Sequence, residues 1–304
     1  MTKSEILQSI QLRQSTIKDF LICTQLFRFK HLEKLQPAFR NPAALHGSIL
    51  HKLIYLIHRD KWNLNVRHYY RDIFWKLEFD DEPESNIPVR WENREKELSL
   101  FEDNAVEILD GYRKKPENRD CVVWYSEQPF QVKIAGHLFT GTIDQIRKNV
   151  DGTLELIDFK SGKQMPGRTA IYNDWQLALY SYAAKYGEFD VDGRLYKPRL
   201  ALEQTSIYSL RAHEIRKRTT SNGPAGSEKS DPLIRLKADK IDFSIFRNQV
   251  RNLLKAMLKD WHYPNPNSCS FCQYTGYCLS RSNELPASLV NEANERLEAA
   301  ALAS

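Results

Sequence analysis

The stretch Gly141–Lys160, GTIDQIRKNVDGTLELIDFK, decides how the rest of the chain is read. Two runs of β-branched and apolar residues flank a polar segment, Asn149 to Gly152, the pattern of a β-hairpin. The turn sets the register. A two-residue Asp151-Gly152 loop pairs Val150 with Thr153, and so Asp144 with Phe159. A three-residue loop, Val150-Asp151-Gly152 with the glycine left-handed, pairs Asn149 with Thr153 and Asp144 with Asp158. In that second register two carboxylates stand opposite each other, about 5 Å apart, and alternation brings Lys160 to the face of Asp158. Opposed like charges are destabilising unless something binds between them. A divalent cation would do so, and a lysine beside the pair can steady or deprotonate a water there. An ordinary hairpin with solvated Asp and Lys has the same local pattern.

Upstream, Ser15-Thr16-Ile17-Lys18-Asp19 is a helix start, with Thr16 and Asp19 at capping-box spacing. Residues Asn41 to Asp60 predict a helix, with Leu45, Ile49, Leu53, Leu56 and Ile57 at helical spacing. Gly47 and His51 share one face of it; the glycine lets another backbone approach and His51 projects into the gap. His46 and His58 read as surface or capping residues. Residues 60 to 120 are mostly helical in pattern, with a loop around Pro83 and a stripe of Leu98, Phe101, Ala105, Ile108, Leu109 and Tyr112. Cys121 to Val132 reads as the strand before the hairpin, with Glu127 at its centre, either an accessory ligand or a solvated strand glutamate.

Downstream, Ser161 to Arg168 is a loop carrying Lys163 and Arg168. A helix follows over Ala170 to Tyr186, with Trp175, Leu179, Tyr182 and Tyr186 as a core stripe and Gln176 and Tyr180 on a neighbouring one. Leu195 to Leu210 reads as a strand region. After it come a basic cluster, His213 to Arg218, a polar loop to Asp231, and a helix from Asp242 to Trp261. From Glu284 the tail is rich in Ala and Glu.

With 304 residues and 44 basic against 39 acidic side chains, the chain can build a large core, and its mild positive excess permits nucleic-acid binding without demanding it. No run of eighteen apolar residues exists, so no membrane span is expected, and the N-terminus lacks a signal-peptide pattern. A reducing cytoplasm is the expected setting, and five cysteines, an odd number, do not make a disulfide framework. Cys269, Cys272 and Cys278 pack three thiols among turn-forming residues. A fourth ligand would come from Cys23 or Cys121, and four thiolates suit zinc as well as an iron–sulfur cluster.

Asp144 in a Gly-x-x-Asp strand, followed after fourteen residues by Asp158-Phe159-Lys160, resembles the core of PD-(D/E)xK nucleases, above all RecB-type domains and CRISPR-associated adaptation exonucleases. Ile143 stands where the motif's proline would be. Gly47-x-x-x-His51 resembles the first motif of the RecB-type enzymes, and Gln176-x-x-x-Tyr180 the motif that faces active site and DNA. One cysteine far upstream and three near the end resemble the iron–sulfur cap of adaptation exonucleases and AddB-type nucleases. The likeness spans about residues 15–280.

It implies an α/β, restriction-endonuclease-like mixed central sheet flanked by helices, in one compact unit. Residues 1–120 would be an N-terminal helical portion carrying Cys23 and His51, 121–262 the nuclease core, and 263–304 a cysteine-bound cap and tail. It further implies that His51, Asp144, Asp158 and the Phe159 carbonyl hold Mg²⁺ or Mn²⁺, that Lys160 orients or activates water, and that Gln176 and Tyr180 position the strand. Cys23, Cys269, Cys272 and Cys278 would hold a structural 4Fe–4S cluster, with zinc as the other occupant, leaving Cys121 a buried strand residue. The implied activity is a DNA exonuclease acting at ends. The chain has no phosphate-binding helicase loop, so unwinding would fall to a separate helicase or to a recombination or adaptation protein. The rival reading is a catalytically silent DNA- or partner-binding protein with a structural zinc.

Overall fold

The computed structural model describes residues 10–79, 87–162, 169–211, 232–259 and 262–280. The loop at Pro83, Lys163 to Arg168, the basic cluster from His213 with its polar extension to Asp231, Trp261 and the tail from Glu284 lie outside them.

Helices α1 (Gln14–Ile22), α2 (Thr24–Phe27), α3 (Pro42–Arg59), α4 (Val66–Phe79), α5 (Arg94–Arg113) and α6 (Pro116–Arg119) precede the first long strands. These are β1 (Val122–Ile134), β2 (His137–Lys148) and β3 (Leu154–Lys160). Then come α7 (Trp175–Tyr186), β4 (Glu188–Val191), β5 (Arg194–Tyr196), β6 (Gln204–Ser209), β7 (Leu233–Lys237), α8 (Phe243–Met257) and α9 (Thr275–Ser280). One mixed seven-stranded sheet runs in the order β5-β4-β1-β2-β3-β6-β7, with β3 and β6 parallel and the other pairs antiparallel. The architecture is the restriction-endonuclease-like α/β sheet that the sequence implied.

Alternation along β3 explains its burial on both faces. Leu154 and Leu156 join a core with α7 and α8, whereas Ile157 and Phe159 join a second core with α3, α4 and α5. The strand carrying Asp158 and Lys160 is therefore clamped from both sides near the middle of the sheet. Its hairpin with β2 takes the three-residue form. Lys148 pairs with Leu154, the Asn149 amide donates to the Thr153 carbonyl at 2.9 Å, and Gly152 has φ +88°.

Several local readings need correction. Leu195–Leu210 is two strands on opposite sides of the sheet, β5 at one edge and β6 beside β3. β4 and β5 form a hairpin through Asp192 and Gly193, both at positive φ, an Asp-Gly turn visible in the sequence. α1 begins at Gln14, so Thr16 is its third residue, its Oγ1 accepting from the Arg13 amide, while Asp19 pairs with Lys30 and His31. His46 is buried, its ring nitrogens 2.9 Å from the Tyr70 hydroxyl and 3.1 Å from Asn104 Oδ1. His58 is part-buried with Nε2 2.8 Å from the Tyr112 hydroxyl. Tyr186, expected in a core stripe, is 51% exposed, because α7 ends there and the sheet turns away into β4. Cys121 stands just before β1 and is only partly buried, its thiol donating to the Asn118 carbonyl.

Candidate active site

α3 carries His51 to the sheet. Asn41 caps this helix, Oδ1 accepting from the Ala43 amide at 2.8 Å, and the buried face of Leu45, Ile49 and Leu53 fixes its rotation. Gly47 makes room on the same side: a Cβ there would stand 2.7 Å from Ser161 Oγ. What approaches is thus a side chain of the loop after β3, not the backbone that the Gly-x-x-x-His spacing led us to expect.

β1 and β2 pair Ser126 with Gln145 and Gln128 with Ile143, so Glu127 stands opposite Asp144 between them. Glu127 has φ +49°, a conformation costing of order 1–3 kcal/mol for a residue with a Cβ. The β2–β3 ladder stops at Gln145 and Ile157, so Asp144 and Asp158, next in register, lie where the strands part. Asp144 Oδ2 there accepts from the Phe159 amide at 2.7 Å.

His51 Nδ1 is 3.5 Å from Glu127 Oε1 and 3.6 Å from Asp144 Oδ1, and one ligand atom from each of the three lies within 4.8 Å of the others. Burial disfavours a charged His51, but hydrogen bonds to Asp144 and Glu127 outweigh it and raise its pKa to about 10. Asp158 is set apart from this trio. Its Oδ2 is 2.7 Å from Lys160 Nζ, and its buried Oδ1 has no hydrogen-bond partner among the described residues. Burial pushes Asp158 up to about 7, with Lys160 opposing and Asp144 reinforcing the shift. Burial lowers Lys160, but the Asp158 charge beside it prevails and raises it. Asp174 caps α7 by accepting the Gln176 and Leu177 amides, both at 2.9 Å, which orients Gln176. Lys160 Nζ donates to Gln176 Oε1 at 2.6 Å, and Gln176 Nε2 donates to the Tyr180 hydroxyl at 2.9 Å. A cleft of about 540 Å³ leads from Asp144 and Tyr180 out past Thr140 to Arg13.

The sequence-selected residues His51, Asp144, Asp158, Phe159, Lys160, Gln176 and Tyr180 thus converge, with Phe159 taking part through its amide. Glu127 enters as a full member, a role the sequence left open. A two-residue Ala135-Gly136 loop, the turn observed, makes Glu127 the partner of Asp144 by counting alone. The donor set, two carboxylates and an imidazole beside an orphaned buried carboxylate oxygen, fits a divalent cation.

Cys23 lies between α1 and α2, its Sγ accepting from the Asn265 amide at 3.3 Å. Burial pushes the Cys269, Cys272 and Cys278 thiols up, and their mutual charge interaction, shared with Cys23, pushes them further. Cys121 interacts instead with Asn118 and Arg147.

A family model described as the PD-(D/E)XK nuclease superfamily matches residues 11–279. No curated protein matches the chain. Among solved structures, one titled "Crystal structure of SSO0001" aligns over 78% of this chain and 95% of its own, at 13% identity and a TM-score of 0.32, too slight a likeness to bear on function.

Proposed function

This chain belongs to the PD-(D/E)XK nuclease superfamily, and from that premise we propose that it is a Mg²⁺- or Mn²⁺-dependent deoxyribonuclease, an exonuclease of the RecB-like, iron–sulfur-bearing kind. The observation that carries the reading is the gathering of His51, Glu127 and Asp144 ligand atoms within 4.8 Å, beside the Asp158–Lys160–Gln176 chain. His51, Glu127, Asp144 and Asp158 would hold the cation; when bound it supplies Lewis-acid stabilisation of charge on the phosphodiester. Lys160 would orient or activate the attacking water beside the phosphate. Two of its three donors go to Asp158 and Gln176, and the third is left for water or phosphate. Tyr180 accepts from Gln176, which frees its own O–H to donate into the cleft toward the DNA backbone.

Cys23, Cys269, Cys272 and Cys278 would hold a structural 4Fe–4S cluster. The support is the family likeness of their spacing and the meeting of Cys23 Sγ with the Asn265 amide, four residues before Cys269; zinc would satisfy the same thiolates. Among the described residues no helix is long and apolar enough to cross a membrane. The reading places the chain in the cytoplasm, with a helicase or a recombination or adaptation protein as a separate partner.

The test is digestion of end-labelled linear single- and double-stranded DNA with Mg²⁺ or Mn²⁺, wild type beside Lys160→Ala, both purified without air. Metal-dependent loss of label, reduced about 10²- to 10⁴-fold in the variant, is the expected result. An intact wild type that cuts none of the substrates would sink the proposal in favour of a binding protein. Iron and sulfide analysis of the same preparation separates the cluster from zinc.

A further inference from the structure

A second cavity, of about 810 Å³, opens on the side of α7 away from Lys160, between that helix, the segment after β5 and the approach to α8. Its wall carries three cations, Lys185, Lys197 and Arg199, against one carboxylate, Asp239. Lys197 has a partner in Glu188 at 3.8 Å but remains more than half exposed. Arg199 is held at φ +50°, a conformation that a residue with a Cβ adopts only where its surroundings enforce it. Tyr186 and Phe243 form the aromatic part of the wall, their rings 5.7 Å apart, and Leu202 adds aliphatic surface. Lys185 Nζ lies 5.4 Å from the Tyr186 ring centre and 5.7 Å from that of Phe243, so charge and aromatic face already lie side by side.

Ser181 also lines this cavity. It is 2% exposed, and its hydroxyl has no hydrogen-bond partner among the described residues. A buried hydroxyl without a partner is costly, and a ligand atom reaching it would remove the deficit. The wall therefore offers aromatic and aliphatic surface for a planar body, a hydroxyl for one polar atom, and a cationic rim for an anion.

We propose that this cavity is an accessory nucleotide site. A base lies against Tyr186, Phe243 and Leu202, with Ser181 meeting one of its polar edge atoms, and the 5′-phosphate sits among Lys185, Lys197 and Arg199. The choice of a base-bearing anion rests on the nuclease reading; the pairing of apolar floor and cationic rim does not. The same chemistry is presented by a free nucleoside monophosphate and by one residue of a single strand.

Binding is measured by calorimetry with thymidine 5′-monophosphate and by fluorescence anisotropy with a 5′-labelled thymidine pentanucleotide, in EDTA so that neither is hydrolysed. Wild type is compared with Lys160→Ala, Ser181→Ala, the double variant Lys197→Ala/Arg199→Ala, and its charge-keeping control Lys197→Arg. The expected result is that affinity falls at least tenfold in the double variant and severalfold in Ser181→Ala, while Lys197→Arg holds near wild type. Both altered rim residues are exposed, so the double variant is expected to fold, and circular dichroism checks that it does. If both probes follow this pattern, the site takes free nucleotide; if only the pentanucleotide does, it takes a strand. Binding of neither probe, or binding lost in Lys160→Ala and kept in the double variant, overturns the proposal. DNA digestion run in parallel keeps the two readings apart, since a nuclease that cuts but shows no rim-dependent binding loses only this one.

Discussion

Glu127 stands at φ +49° with its carboxylate toward His51 and Asp144, and backbone strain at that position is a reason to expect the carboxylate to have a role there. Glu127→Gln should therefore raise the Mg²⁺ concentration needed for half-maximal cleavage about tenfold or more, as a metal titration of the rate would register. In the proposed reaction Gln176 would act one step removed, since it holds Lys160 Nζ and the Tyr180 hydroxyl together. Its replacement by Ala should cost roughly 10–100-fold in rate with little change in metal dependence, because it supports the groups that act without touching the cation. An equal shift of metal dependence in both variants would contradict this division. The carboxylates and the lysine were legible in the sequence because residue type and alternation fix their face. Their actual contacts were not. Nothing in the spelling of β3 says that Asp158 turns to Lys160 while Asp144 joins His51, since that follows from where β2 and β3 part.

Among the elements, the face of β2 and β3 opposite Asp144 and Asp158 holds a buried polar group. Arg147 and Glu155, both fully buried, pair at 2.9 Å, and Glu155 also receives Ser206, Asn149 and Arg235. Glu155→Ala would strand Arg147 without its counter-charge, so urea unfolding should reveal a loss of about 3–5 kcal/mol. Beside this group lies His58, held down to about 4 by burial and by the Arg147 charge. A histidine of depressed pKa binds its proton more readily unfolded than folded. Its neutral form thus supports the fold above pH 6.5, and that support is lost as pH falls from about 6.5 toward 4, a slope His58→Gln should flatten in pH-dependent unfolding curves. None of this cluster was read from the sequence, because Arg and Glu in a strand look like solvent-facing residues until tertiary packing covers both faces. The hairpin itself was readable because its loop length fixes its register. The β4–β5 hairpin has an equally clear Asp-Gly turn, but strands of four and three residues are too short for alternation to announce them.

At the scale of the molecule, residues 22–35 meet residues 263–274. The Tyr263 amide donates to Thr24 Oγ1 at 2.9 Å, Asn265 Nδ2 to the Ile22 carbonyl at 2.8 Å, and the Tyr274 hydroxyl to the Leu35 carbonyl at 3.0 Å. If the four thiols share one metal group, that link closes a loop of about 250 residues and is worth on the order of 5 kcal/mol in chain entropy. Cys272→Ser, or stripping the metal, should then lower the melting temperature by roughly 10 °C and leave the isolated cation site intact, as calorimetry with and without chelator would reveal. The clasp also sets a schedule. Cys23 and the Asn265 amide that meets it are 242 positions apart. At synthesis rates of about 5–20 residues per second, the first thiol is made roughly 12–50 s before its partners exist. Through that interval the growing chain holds Cys23 without its three proposed partners, and any group the four sulfurs hold must be taken up after the last of them is made, as a finishing step of biogenesis.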